Sequence, residues 1–95
     1  MEHPGFLLLS KLKERGISLQ SAASSMRIDV TRLSQITRGI RALTADTAVH
    51  LGMWRPEMGD AEFWMSQQAN YELWLAKRRF EERHTATSPP DLSVQ

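Results

Sequence analysis

Five stretches of the chain repeat apolar residues at the three- and four-residue spacing of a helix face, and capping or breaking residues separate them. The first opens at Pro4, which lacks the amide that a helix start would leave unpaired, and stops at Gly16 after Arg15. Phe6, Leu8, Leu9 and Leu12 give it two adjoining apolar faces, with Leu7 further round. One side should enter a core, and Leu7 and Leu8 are candidates for contact with another protein. Ser18 caps a second helix whose inner face is Leu19, Ala22, Ala23 and Met26, while Gln20, Ser21, Ser24 and Ser25 face outward. A turn of Arg27, Ile28 and Asp29 follows, with Asp29 as the cap of a third helix from about Val30 to Arg38. Val30, Leu33, Ile36 and Thr37 share its inner face; Thr31, Ser34, Gln35 and Arg38 share the outer one, with Arg32 on the border. Gly39 is placed to end this helix in the left-handed conformation.

Thr44 caps a fourth helix, with Asp46 in the first turn where the helix dipole favours negative charge. Residues 54–59, WRPEMG, read as a loop. Asp60 caps a long fifth helix reaching about Arg83. Trp64, Tyr71 and Leu75 lie on one side, with Phe63 and Trp74 adjoining; Met65, Ala69, Leu73, Ala76 and Phe80 lie on another. A helix apolar on nearly all sides needs two partners, here the domain core and a second protein chain. Residues 84–95, with Pro89 and Pro90 and little apolar content, are expected to form a disordered tail. No alternating run long enough for a strand occurs. The expected class is all-α, with residues 1–83 as a single five-helix domain ending in a long helix.

Composition narrows this picture. A chain of 95 residues, 41% of them hydrophobic, can bury one small core but has little room for a cleft with separate catalytic machinery. There is no cysteine, which removes disulfides and thiolate-ligated zinc. His3, His50 and His84 do not share a helix face, so no metal site is expected, nor any cofactor. No serine lies in a nucleophile motif, so the chain is not expected to be an enzyme. The apolar run Phe6 to Leu9 is too short for a signal-peptide core or a membrane span, and a cytoplasmic location with no membrane partner is the expectation.

Net charge is only +1, but its distribution is uneven. Lys11, Lys13, Arg15, Arg27, Arg32, Arg38 and Arg41 face only Glu14 and Asp29 in the same stretch. From Ala61 onward, Lys77, Arg78, Arg79 and Arg83 are offset by Glu62, Glu72, Glu81, Glu82 and Asp91. The basic bias sits on residues 17–43, two short helices joined by a tight turn. That is the pattern of a helix-turn-helix unit, whose second helix fits the major groove of DNA. Base edges there require side chains that donate and accept. Gln35 can do both for adenine, Arg32 can bond guanine through two N–H groups, and the Thr31 methyl suits thymine. Ser34 shares their face. Gln20, Arg38 and Arg41 are candidates for phosphate contacts. Trp64 is expected in the core; Trp74 fits either core or a chain–chain contact; Trp54 stays open. Lys77-Arg78-Arg79 reads as a solvated face.

His3-Pro4-Gly5 before a leucine-rich helix resembles the opening of the HigA-type antitoxins, a branch of the Xre/Cro-like, lambda-repressor-like helix-turn-helix group. The resemblance continues through Arg38-Gly39-Ile40-Arg41-Ala42-Leu43-Thr44-Ala45-Asp46-Thr47-Ala48, then Glu62-Phe63-Trp64-Met65 and Gln68-Ala69-Asn70-Tyr71-Glu72-Leu73, and covers about residues 3–76. It implies a protein that binds and neutralises a RelE-like toxin, which cleaves mRNA on the ribosome, and that binds operator DNA as a homodimer to repress its own operon. It also implies that Thr31, Arg32 and Gln35 hold base-reading positions, with Arg38 and Arg41 near the DNA backbone.

The chain departs from the family in four places. Arg27 stands where a turn glycine is usual, Leu19 replaces a glutamine with Gln20 displaced by one, Asp29 replaces proline or serine, and the loop from Met53 to Asp60 is about two residues longer. A stand-alone regulator of the same fold, and a toxin-sequestering module with weakened DNA binding, are the alternative readings; Arg27 and Asp29 favour the latter.

Overall fold

The computed structural model describes residues 1–87. It contains α1 (Pro4–Glu14), α2 (Leu19–Met26), α3 (Val30–Thr37), α4 (Ala45–Trp54), a 3-10 turn (Pro56–Met58) and α5 (Ala61–Thr87). No strand occurs among the described residues. The fifth helix runs four residues past its expected end at Arg83; the rest of the expected tail, residues 88–95, lies outside the described residues.

The first three helices stop in the same way. In each, a residue with positive φ follows the helix: Gly16 at 66°, Arg27 at 59° and Gly39 at 76°. An isoleucine comes next, and its amide reaches back to a carbonyl of the last turn: Ile17 to Leu12, Ile28 to Ala23, Ile40 to Gln35, at 2.9, 3.0 and 2.9 Å. This is the Schellman closure, which pairs carbonyls the helix would leave orphaned. Two of the three use glycine, which bears the left-handed conformation without penalty; the middle one uses arginine, whose Cβ crowds the following carbonyl.

Starts are set by side chains. The Ser18 hydroxyl accepts from the Ser21 amide at 3.1 Å, Thr44 from Thr47 at 3.3 Å, and the Asp60 carboxylate from Phe63 at 2.8 Å. Asp29 occupies the cap position of α3, but its side chain makes no capping hydrogen bond, contrary to expectation.

The core gathers Leu8 and Leu12 of α1, Met26 of α2, Leu33 and Ile36 of α3, Leu51 of α4 and Trp64 of α5, each 2% exposed or less. Burial of each such side chain stabilises the fold by about 1.5–3 kcal/mol. Leu8 is therefore a core residue and not a surface for partners, because its face of α1 packs on α3. Val30 departs in the other direction: at the first position of α3 it is 38% exposed. Trp64 is fully buried as expected, and its indole N–H finds no acceptor among the described residues.

Pro4 and Gly5 are buried, and a Cβ added to Gly5 would overlap the carbonyl of Ile36 in the last turn of α3. Only glycine lets the two backbones meet there. The His3 ring caps α1: Nδ1 accepts the Gly5 amide at 2.9 Å, which leaves Nε2 as the protonated nitrogen. The ring also stands edge-on to Tyr71 of α5, with centroids 5.0 Å apart. Across the core, the buried Gln68 of α5 accepts the Leu43 amide at 2.9 Å and donates to Glu72 at 2.8 Å. The segment between α3 and α4 is thus held from α5.

Two consequences are measurable. Arg27→Gly removes the left-handed penalty but adds freedom to the unfolded chain, and a net gain of about 0.5–1 kcal/mol is expected in urea unfolding. Burial of the His3 ring holds its pKa below the usual 6.5, against the upward pull of the Arg41 carbonyl and the Glu72 carboxylate. The His3 contribution is therefore complete above pH 6.5 and declines as pH falls below it, because the unfolded chain takes up the proton first. Urea titrations of the unsubstituted chain and of His3→Asn should diverge in their pH dependence below that value, with the asparagine variant, which retains a capping oxygen, showing the flatter profile.

Candidate nucleic-acid interface

Helix α3 owes its position to its apolar side. Leu33, Ile36 and Thr37 are buried, and their spacing turns the opposite side of the helix to solvent. Thr31 and Arg32 stand exposed in its first turn, and neither has a side-chain partner among the described residues. Ser34 and Gln35, further along, are half-buried. The Ser34 carbonyl accepts the Thr37 hydroxyl at 2.9 Å. Arg38 is exposed where the helix closes, and Arg41 is exposed just beyond it. Gln20 is exposed in the first turn of α2.

Five of the seven candidate residues, Thr31, Arg32, Ser34, Gln35 and Arg38, therefore belong to one short helix and its cap. Arg41 is brought to this group by a direct contact: its Nε–H donates to Gln35 Oε1 at 2.8 Å. Gln20 sits on the other helix of the unit. Arg32, Arg38 and Arg41 enter none of the ion pairs seen among the described residues, so their charges are directed to solvent. The one nearby acid on α3 is Asp29, exposed at the helix start. Such a surface offers hydrogen-bond donors and positive charge at the end of an exposed helix, the properties that phosphate and base edges require.

Sequence patterns did not reveal the Gln35–Arg41 pair, which spans the Gly39 turn, nor the His3 cap of α1 and the Gln68 bond that fixes the segment carrying Arg41. A histidine directly before a proline at a helix start was the available signal for His3.

Other features lie apart from this surface. Trp54 lines an open cleft of about 240 Å³ with Ser25, Met26, Arg27, His50 and Met53, and the Arg55 guanidinium lies 5.1 Å from its ring. Trp74 is half-buried, with Arg78 over its ring at 5.0 Å. Among the described residues no group of three histidine, aspartate or glutamate side chains could hold a metal ion, and no helix is long and apolar enough to cross a membrane.

No protein-family model matches the chain. Virulence-associated protein I of Dichelobacter nodosus is 36% identical over 77 residues, which cover 80% of this chain and 69% of that protein. Virulence-associated protein A' of the same organism is 37% identical over 71 residues, and the chain spans 61% of its length. Among solved structures, the Pseudomonas aeruginosa antitoxin HigA with the higBA promoter is 30% identical with a TM-score of 0.77, covering 95% of this chain and 97% of that one. An addiction module antidote protein of the HigA family from Coxiella burnetii is 28% identical with a TM-score of 0.79, covering 94% and 96%. With its helix order, its exposed third helix and these likenesses over nearly the whole length, the chain belongs to the HigA-type antitoxin family of Xre/Cro-like helix-turn-helix proteins.

Proposed function

We propose that this chain is the antitoxin of a toxin–antitoxin pair: it binds and neutralises a RelE-like, mRNA-cleaving toxin and represses its own operon by binding operator DNA as a homodimer. The observation that carries the DNA half is the outer face of α3, with Thr31 and Arg32 exposed and Gln35 beside Arg41, in a fold 30% identical to an antitoxin solved with promoter DNA. Thr31, Arg32, Ser34 and Gln35 would face base edges; Gln20, Arg38 and Arg41 would lie along phosphates. In a dimer, two such helices would enter successive major grooves about 34 Å apart.

The homodimer is supported by α5. Ala69, Leu73, Ala76 and Phe80 recur at helical spacing and are all exposed, Leu73 and Phe80 each at 55%. A stripe of this kind on a soluble helix marks a contact with another chain. A second reading, in which the chain sequesters a toxin while gripping DNA weakly, is favoured by Asp29: its carboxylate is exposed and makes no cap bond at the end of α3 that would approach the groove.

The double substitution Thr31→Ala with Gln35→Ala should abolish sequence-specific binding in gel-shift titration against the chain's own promoter, while circular dichroism stays unchanged. Unaltered affinity in that variant rules out the base-reading assignment. Leu73→Glu places a charge in the α5 stripe and should convert a dimer into a monomer in sedimentation velocity; a persisting dimer means that another face joins the chains.

A further inference from the structure

The contact between Arg41 and Gln35 is more than a surface hydrogen bond. Arg41 is tied to the end of α3 at two points. Its backbone amide donates to the Gln35 carbonyl at 3.3 Å, and its Nε–H donates to Gln35 Oε1 at 2.8 Å. The Ile40 amide converges on the same Gln35 carbonyl at 2.9 Å. Main chain and side chain of these two residues, six apart in sequence, thus form one closed unit across the Gly39 turn.

A glutamine amide has two ends that differ only in chemistry: an oxygen that accepts and an NH2 group that donates. On an exposed helix the amide can rotate by half a turn and exchange them. Against Arg41 Nε–H it cannot do so freely, since the exchanged form sets donor against donor. The arginine therefore decides which end of Gln35 points toward it and which points away. One lone pair of Oε1 is engaged, the other remains, and Nε2 keeps both of its hydrogens. An acceptor and a donor side by side in a fixed orientation is the complement of the adenine edge, which offers N6–H2 and N7. Meanwhile the terminal nitrogens of Arg41 have no partner among the described residues and are turned to solvent.

On the reading that this surface binds operator DNA, we propose that Arg41 is a positioning residue for base recognition: it sets the amide orientation of Gln35 for adenine, and so contributes to sequence discrimination as well as to backbone affinity. A purely phosphate-binding arginine would strengthen binding to every duplex equally. A positioning arginine changes the ratio between duplexes.

That ratio is the test. A duplex is first selected by the unsubstituted full chain from a randomised library, and each base pair is then replaced in turn to find the pair whose preference Gln35→Ala abolishes. Affinities for the selected duplex and for its replacement at that pair are measured for the unsubstituted chain, Arg41→Ala, Gln35→Ala and the double variant, with helical content and melting checked for each. Arg41→Ala is expected to lower the ratio by about tenfold, to the level of Gln35→Ala, and the double variant to fall no further. An unchanged ratio in Arg41→Ala, with affinity for both duplexes reduced alike, overturns the positioning role and leaves DNA reading intact. So does a selected pair other than adenine–thymine. If the unsubstituted chain selects no sequence, the DNA-reading function itself falls, and this proposal with it.

Discussion

The position of the third helix depends on a close approach of two backbones. Gly5 of α1 lies directly on the Ile36 carbonyl in the last turn of α3, with no room for a side chain between them. Everything near that contact is arranged to hold it. Pro4 starts α1 without an amide to satisfy, the His3 ring caps the helix, and Tyr71 of α5 meets the same ring. The three residues that open the chain's family resemblance thus have a shared physical task, which is to dock one helix end onto another.

From that contact the rest of the surface follows. Fixing the last turn of α3 fixes Gly39 and the segment to Leu43, whose amide is taken by the buried Gln68. Leaving the Leu43 amide unpaired in the interior would destabilise the fold by about 1–3 kcal/mol. The segment that bears Arg41 is therefore anchored at both ends, by the Gln35 carbonyl and by Gln68, and its Nε–H meets Gln35 Oε1. Helix α5 serves two sides at once: Trp64 and Gln68 turn inward, whereas Leu73 and Phe80 face solvent.

Much of the fold was legible in the sequence because its signals are local. Ser18, Thr44 and Asp60 cap by bonds to residues three positions on, and Gly16 and Gly39 announce their turns by lacking a Cβ. Arg27 was legible as a departure, and its positive φ accords with that. What escaped was long-range or chemical in detail. Nothing periodic marks Gln68 as the partner of Leu43, 25 residues away, and nothing near His3 tells that its ring will meet Tyr71. Apolar spacing put Val30 inside, but at the first turn of a short helix it lies beyond the neighbouring elements. The same spacing left Leu8 as a candidate for outside contact because α1 is leucine-rich on more than one side, and only packing against α3 distinguishes its faces.

The repeated closure of α1, α2 and α3 has a consequence for the rotational phase of the third helix. Successive residues of a helix point about 100° apart, so the face each one joins is fixed by where the helix starts. Since α2 ends at Arg27 through its own backbone bonds and α3 begins at Val30, only Ile28 and Asp29 span the gap across which α3 must bring Leu33 and Ile36 to the core and Thr31 to the surface. The chemistry of that face can vary residue by residue, but the turn before it has little length to give up: with one residue fewer, the chain could not both close α2 and bring the apolar side of α3 to the core in the same register.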